Sequence, residues 1–374
     1  MEYLAIVPNG LENVGIRELK EFGIRGKTEE SAIIFQAEKK DIVKICYEGQ
    51  SFERILILLE KTKIRNPDDL KLKLDFRLED FLKKDGKIAV RCVRRGEHNF
   101  SSSDAEQEVA RQIDKKFGLS KRVSLENPDV LFVAYVNGDR LYLGIDAAGF
   151  ELGKRQYKIF NSPVSLKGPI AYGIVKMSGF KKGEVLLDPF CNSGEIVIEG
   201  CIHDTGFPVH YFDKSAFRFA HNKAFDGIDA QKIFAETDAK ASDKKSEIYG
   251  FAPMLKDVKA SQKNAKIAGI HKQLKITRVD TEWVELKFKE NEVDHIVSRL
   301  PIITKFNEAA LKKSYDELFY QAKLILKKNG NITVMVKSTE YLNESAERRG
   351  FRITEAHRVM MGKDEENIVV LKKV

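Results

Sequence analysis

Long hydrophobic runs are missing from this chain of 374 residues. No apolar stretch approaches the ~20 residues that span a bilayer, so the sequence predicts no transmembrane helix and no membrane partner. Residues 1–8 lack the basic-then-apolar pattern of a secretion signal. We therefore expect a cytoplasmic protein.

Cysteine is also scarce. The four cysteines, Cys46, Cys92, Cys191 and Cys201, lie far apart and form no Cys-x-x-Cys pair. This spacing excludes a disulfide framework and a cysteine-based zinc module, so no metal site is predicted, and it is typical of a reducing compartment. No Gly-x-Gly-x-x-Gly follows a strand, which counts against a nicotinamide-dependent dehydrogenase.

The composition is that of an ordinary globular protein. Hydrophobic residues make up 43% and charged residues 32% of the chain, and the length is enough for more than one hydrophobic core. The formal net charge is +8. A basic balance favours an anionic partner such as nucleic acid, although a solvated lysine-rich surface gives the same value.

Three segments of the chain have different patterns. Residues 1–62 read strand-helix-strand-helix, which predicts a small α+β unit. Residues 63–160 have strand signals at 87–93, 130–136 and 141–145, and a helix at 103–117 with Ser103 as N-cap and Glu106 as its capping-box partner. Residues 161–374 alternate strands and helices, which is typical of a doubly wound sheet. The last two predicted strands, 351–353 and 368–371, have no helix between them and should form an antiparallel hairpin at one edge.

The sharpest motif is the string Leu-Leu-Asp-Pro-Phe-Cys-Asn-Ser-Gly-Glu at 186–195, which an apolar helix follows. A strand that leads through a turn of small residues into a helix lets backbone N–H groups approach a ligand at the carboxyl end of the strand. Many turns of this kind bind nothing, so the length of the string carries the argument.

That string resembles the first motif of class I RNA methyltransferases, Asp-Pro-Phe-Cys-Gly-Ser-Gly-Thr, whose turn holds S-adenosylmethionine. Residues 160–172 resemble the helix that precedes this motif in THUMP-containing tRNA methyltransferases, and 217–223 resemble an aromatic-rich insertion of those enzymes. Residues 90–101, 123–130 and 141–146 are similar to parts of a THUMP domain. The resemblance covers nearly the whole chain and is closest to the tRNA guanine-N2 methyltransferases.

The resemblance implies an architecture, a cofactor and a partner. It implies a ferredoxin-like α+β domain over 1–62, a THUMP domain over 63–160 and a Rossmann-like methyltransferase domain over 161–374. The first two domains would bind tRNA. The cofactor would be S-adenosylmethionine, bound by Lys167, Pro169, Asp188, Phe190, Asn192, Ser193, Gly194 and Asp280. The sequence does not decide the oligomeric state, and a monomer is expected.

A basic cluster in the THUMP-like segment agrees with an RNA partner. Only Asp85 opposes its six cations, which are Lys83, Lys84, Lys87, Arg91, Arg94 and Arg95. Lysine and arginine supply most phosphate contacts, so we predict RNA binding here. A solvated strand and turn is the alternative. Lys154, Arg155 and Lys158 form a smaller cluster that could line a linker, and Lys154 and Arg155 are predicted to bind RNA.

The chain departs from the family pattern at the expected cofactor site. Asn192 replaces a glycine and Glu195 a threonine of the first motif. Asparagine tolerates a positive φ, so the turn is expected to form. Ala252 stands where the family has an acid for the ribose hydroxyls. Weakened cofactor binding is therefore expected.

The fourth motif, which should read Asp/Asn-Pro/Leu-Pro-Tyr, is also altered. The catalytic segment is Ser298, Arg299, Leu300 and Pro301, followed by Ile302. A guanidinium cannot accept a proton from the target amine, and isoleucine offers no ring for a flipped base. Two hypotheses remain: an RNA methyltransferase with an unusual pocket, and a catalytically degenerate homologue that acts as a tRNA-binding or scaffold protein.

Overall fold

A computed structural model describes residues 1–362 and 364–374. They divide into two compact units, one of residues 1–7, 15–152 and 210–239, and one of residues 8–14, 153–209 and 240–374. Among the described residues, no helix combines the length and hydrophobicity that crossing a bilayer requires. In chain order, the elements are β1 (Glu2–Ile6), α1 (Glu12–Glu21), β2 (Gly26–Glu29), β3 (Ala32–Gln36), α2 (Lys39–Glu48), β4 (Arg54–Lys63), β5 (Ile88–Arg95), α3 (Ser102–Phe117), β6 (Val130–Asn137), β7 (Arg140–Asp146), α4 (Gly168–Met177), β8 (Leu186–Asp188), α5 (Glu195–Thr205), α6 (Ala230–Asp238), β9 (Ile248–Ala252), α7 (Leu255–Ile267), β10 (Lys275–Arg278), β11 (Val293–Arg299), α8 (Glu308–Ile325), β12 (Leu326–Val336), α9 (Glu340–Arg348), β13 (Phe351–Met361) and β14 (Asp364–Lys373).

The first unit is built on one sheet, in the order β2-β3-β1-β4-β7-β6-β5. Strand β4 pairs antiparallel with β1 on one side and with β7 on the other. Residues 1–62 and 63–160 therefore contribute to the same sheet. The sequence analysis missed β4, because its apolar run does not alternate with polar residues and it ends in the polar residues 60–63. The domain boundaries at 62 and 160 stay a prediction.

The start of helix α3 differs from the prediction. Ser101, and not Ser103, is the N-cap: its hydroxyl accepts from the Asp104 amide at 3.2 Å, and its own amide donates to the Asp104 carboxylate at 2.7 Å. Both serines precede an acid by three residues, so the spacing alone does not distinguish them. Glu106 instead accepts from Arg91 at 3.1 Å.

The aromatic insertion belongs to the core of the first unit. Tyr47 of α2 packs on Phe234 of α6 with ring centroids 4.3 Å apart, and Phe217 stacks on Phe219 at 5.2 Å. The Tyr47 hydroxyl also donates to Asp238 at 2.6 Å. Residues 210–239, although they follow the first motif in sequence, complete the hydrophobic core of the N-terminal sheet.

The second unit has the sheet order β10-β9-β8-β11-β12-β14-β13. The first five of these strands run parallel, β14 runs antiparallel to β12, and β13 pairs antiparallel with β14 at the edge. The predicted doubly wound sheet and its terminal hairpin are confirmed. Because the chain moves outward from β8 in both directions, the carboxyl end of β8 is the topological switch point, where such sheets bind ligands.

Candidate active site

The turn after β8 has the backbone shape that the motif predicts. Asn192 has a φ of +47°, and Gly194, the N-cap of α5, has a φ of +92°. The Asn192 side-chain amide donates to the Phe190 carbonyl at 2.6 Å, so asparagine stabilises the turn in place of glycine. A Cβ on Gly194 would lie 2.8 Å from the Ser261 Cβ of α7, which requires glycine there.

The Glu195 carboxylate makes its hydrogen bonds within the protein. It is buried, and its carboxylate accepts hydrogen bonds from the hydroxyls of Ser165 and Ser193, the latter at 2.9 Å. The Ser193 hydroxyl also accepts from the Ser162 amide at 3.3 Å. The carboxylate that departs from the family pattern therefore holds the segment before α4 against the turn.

Helix α7 supports the same turn through a residue that the sequence analysis missed. Asn264 is fully buried, and its amide donates to the carbonyls of Ser193 and Phe160, both at 2.9 Å. Its oxygen accepts from the Phe160 amide at 3.0 Å. An asparagine within a lysine-rich helix looks like a surface residue in sequence, and only the packing reveals its role.

Asp188 and Ser298 join the ends of two neighbouring strands. The Ser298 hydroxyl donates to the Asp188 carboxylate at 2.6 Å, and the Phe190 amide donates to the same oxygen at 3.0 Å. Burial raises the pKa of Asp188 to about 7, although the hydrogen bond from Ser298 lowers it. Ser298 is fully buried, so its hydroxyl is not placed to accept a proton from a substrate.

Arg299 forms a buried ion pair with Glu366. Its guanidinium pairs with Glu366 of β14 and donates to the Val164 carbonyl at 2.7 Å. Arg299 and Glu366 are 8% and 3% exposed, so the charge is neutralised in the interior and does not face a substrate. The following residues are also held: the Leu300 amide donates to Met335 at 3.0 Å, and the Pro301 carbonyl accepts from Tyr315 at 2.7 Å.

The remaining predicted cofactor residues, and Ala252 in place of the expected acid, lie on the neighbouring elements. Ala252 ends β9 and is buried, whereas Asp280 follows β10 and is exposed. Exposed Lys167 directly precedes α4, and buried Pro169 lies in its first turn. Because β8, β9, β10 and β11 run parallel, the first motif, Ala252, Asp280 and the fourth motif all lie at strand ends along one edge of the sheet.

The structure corrects the predicted role of Arg155. Its side chain is fully buried and pairs with Glu199 of α5 at 2.8 Å, and the Tyr157 hydroxyl donates to the same carboxylate at 2.8 Å. A Cβ on Gly168 would lie 2.4 Å from the Arg155 Nε, so the ion pair of Arg155 and Glu199 leaves no room for a side chain at position 168. Arg155 therefore joins the interior and does not contact RNA. Lys154 beside it is exposed.

The cluster 83–95 does not form one basic patch. Side chains alternate across strand β5, and its arginines already have protein partners. Arg91 pairs with Glu106 at 3.1 Å, Arg94 lies over the Phe100 ring, and Arg95 pairs with Glu53 and donates to the Val7 carbonyl at 2.7 Å. Exposed cations precede the strand at Lys83, Lys84 and Lys87.

Comparisons with known proteins match this architecture. Family models match an RlmL ferredoxin-like domain over residues 2–56, a THUMP domain over 70–146, and an RMKL-like methyltransferase domain over 155–367. A tRNA (guanine(6)-N2)-methyltransferase of Methanocaldococcus jannaschii is 30% identical, over 97% of each chain. The chain belongs to the THUMP-containing RMKL-like methyltransferase family. The predicted family and fold class are thereby confirmed.

A second curated relative and two solved structures agree with this architecture. The tRNA (guanine(6)-N2)-methyltransferase of Archaeoglobus fulgidus is 25% identical, over 97% of this chain and 90% of its own. A methyltransferase solved with S-adenosylhomocysteine has a TM-score of 0.79 at 19% identity, over 100% of this chain and 98% of its own. TrmN from Thermus thermophilus has a TM-score of 0.68 at 18% identity, over 100% of both chains. The solved structures establish the fold alone.

We predict a pH-dependent stability difference between the wild type and Asp188→Asn. Between the unperturbed pKa of 3.8 and the native value of about 7, the folded chain keeps a proton that the unfolded chain releases, so stability falls as pH rises. Asparagine has no such dependence. The wild type should lose up to roughly 4 kcal/mol relative to the variant between pH 4 and pH 8. Urea denaturation at several pH values measures this, and parallel curves would contradict it.

We predict that Arg299→Met destabilises the protein by about 3 kcal/mol or more, because it leaves the Glu366 carboxylate buried without its ion-pair partner. Adding Glu366→Met should restore most of the loss, which chemical denaturation of all three proteins will measure. Arg349→Met is the control: that arginine, 35% exposed, pairs with Asp316, and its loss should cost under about 1 kcal/mol. Equal losses at the two arginines would show that the interior pair has no special weight.

Proposed function

We propose that the chain is an S-adenosylmethionine-dependent methyltransferase that modifies the N2 amine of a guanosine in tRNA. One observation carries this: the turn after β8 and the end of β11, which hold the first and fourth family motifs, are tied together at the switch point by the 2.6 Å Ser298–Asp188 hydrogen bond. The names and full-length coverage of the two archaeal relatives support the substrate.

The turn suits the cofactor. The N-terminus of α5 carries no side-chain cap, and half-buried Asn192 turns the chain at a positive φ just before it, an arrangement that favours a ligand with polar groups. We assign binding to residues 188–194 and to Asp280, with Lys167 and Pro169 at the neighbouring helix start. When bound, S-adenosylmethionine supplies an electrophilic methyl group. Ala252 offers the ribose no carboxylate, so the backbone carries more of the recognition.

The target amine needs an acceptor that is not a side chain of the altered motif. Ser298 donates to Asp188, and Arg299 has donors only and is paired with Glu366. We therefore assign the acceptor to a backbone carbonyl of residues 299–300, at the end of β11. Half-buried Ile302 gives the base an apolar contact in place of an aromatic stack.

The first unit supplies the tRNA contacts in this proposal, through its THUMP domain and its exposed lysines Lys83, Lys84 and Lys87. The four cysteines are free thiols, which suits the cytoplasm, where tRNA is found. The relatives lend no support to a scaffold that has lost catalysis.

The deciding experiment measures methyl transfer. The purified chain, S-adenosylmethionine and an unmodified tRNA transcript should yield N2-methylguanosine, which mass spectrometry of the digested nucleosides identifies. If no methylated nucleoside forms from unmodified transcripts of the source organism's tRNAs, the proposed activity is wrong.

A pair of variants tests the turn. Asn192→Gly should keep cofactor affinity or raise it, because glycine adopts a φ of +47° without strain. Asn192→Val should weaken S-adenosylmethionine binding at least about tenfold, because a β-branched residue strains at positive φ. Calorimetric titration measures both. Equal affinities for the two variants would show that the turn does not hold the cofactor.

A further inference from the structure

Helix α7 and the edge strand β10 carry the strongest run of positive charge in the second unit that the first and fourth motifs do not explain. Residues 255–278 contain seven lysines and arginines and a single acid, Asp257. Four of the lysines, Lys256, Lys259, Lys263 and Lys266, recur at intervals of three and four residues, so they form one stripe along the helix. All four are exposed.

These lysines are not neutralised by the protein. Within residues 1–362 and 364–374, no carboxylate forms an ion pair with any of the four, whereas Lys275 on β10 has Glu247 at 3.9 Å. Lys263 instead lies over the ring of Phe160, with its Nζ 4.6 Å from the ring centroid. Like charges crowded on one helix face repel one another, so the stripe is better suited to an anionic partner than to isolation in water.

The stripe borders a groove. A cavity of about 760 Å³ lies between α7 and β10, with Lys259, Lys263, Lys266 and Lys275 at its wall and Leu274 and Ile276 at its floor. Strand β10 is the edge of its sheet, so this face is not covered by a further strand of the described residues. The four lysines extend over roughly 15 Å at 1.5 Å per residue.

The same helix holds the candidate cofactor turn from its other side. Asn264 donates to the Ser193 carbonyl at 2.9 Å, and the Ser261 Cβ packs where a Gly194 side chain would lie. Because a helix with its side chains is about 10–12 Å across, a polyanion on the lysine stripe would lie beside the turn. Helix α7 thus carries the lysine stripe on one side and contacts the candidate cofactor turn with the other.

We propose that the α7–β10 face binds the phosphate backbone of the RNA substrate and holds it beside the methyl-transfer edge. This inference rests on the proposed function for the identity of the polyanion, and it assigns to the methyltransferase domain a binding surface of its own. The contacts are to phosphates, so they position the RNA without reading its bases.

The test compares tRNA binding by two triple variants of the full chain. Lys259→Gln with Lys263→Gln and Lys266→Gln should lower tRNA affinity at least tenfold near 0.1 M salt. The slope of log affinity against log salt should flatten by about two to three, because each phosphate contact contributes roughly 0.9 in a duplex and 0.7 in a single strand. Lys240→Gln with Lys244→Gln and Lys245→Gln removes the same charge from an exposed loop of the same unit and should leave both quantities unchanged.

Two further measurements separate the explanations. Arginine at positions 259, 263 and 266 should retain affinity, and S-adenosylmethionine titration of the glutamine variant should match the wild type, which shows that the turn is intact. Equal losses in both glutamine triples would show a net-charge effect and would overturn the inference, as would unchanged binding in the α7 triple. If the wild type binds tRNA but transfers no methyl group, the proposed function is wrong. The comparison of the two glutamine triples still decides whether the α7–β10 face binds the RNA backbone.

Discussion

The hydrogen bond between Ser298 and Asp188 is the constraint on which the candidate site depends. A buried carboxylate loses its hydration, which is why the pKa of Asp188 rises to about 7, and the donors from Ser298 and Phe190 offset part of that cost. One oxygen thereby connects the end of β8, the turn that follows it and the end of β11. Both motif segments keep their relative position through this atom.

The residues that the sequence analysis interpreted as departures from the family pattern make interior contacts. Glu195 receives the hydroxyls of Ser165 and Ser193, and Arg299 reaches the Val164 carbonyl while it pairs with Glu366. Both therefore hold residues 161–167, one at the turn and the other at the end of β11. From the motif alone, each departure looks like a lost contact with the ligand. In the structure, each buried charge is offset by an ion pair or by hydrogen-bond donors.

The sequence predicted what is local and missed what is distant. The alternation of strands and helices, the turn at 188–194 and the terminal hairpin follow from short-range patterns. Glu366 lies 67 residues from Arg299, so no local pattern pairs them. The local density of positive charge predicted that Arg155 binds RNA. A sequence pattern does not distinguish a solvated arginine from one that is buried in an ion pair with Glu199. Strand β4 was missed because its apolar run does not alternate with polar residues, and its pairing with β1 and β7 is visible only in the folded sheet.

Donor and acceptor chemistry supports the backbone acceptor that is proposed at the end of β11. Successive side chains of a strand point to opposite faces, so Ser298 and Arg299 reach different partners, Asp188 on one face and Glu366 on the other. Neither side chain is left to accept from an amine. The backbone carbonyls at a strand end remain whatever the side chains are, and the contacts of Leu300 with Met335 and of Pro301 with Tyr315 fix their direction. An acceptor of that kind depends on the rigidity of the strand end, which the buried pair of Arg299 and Glu366 supplies.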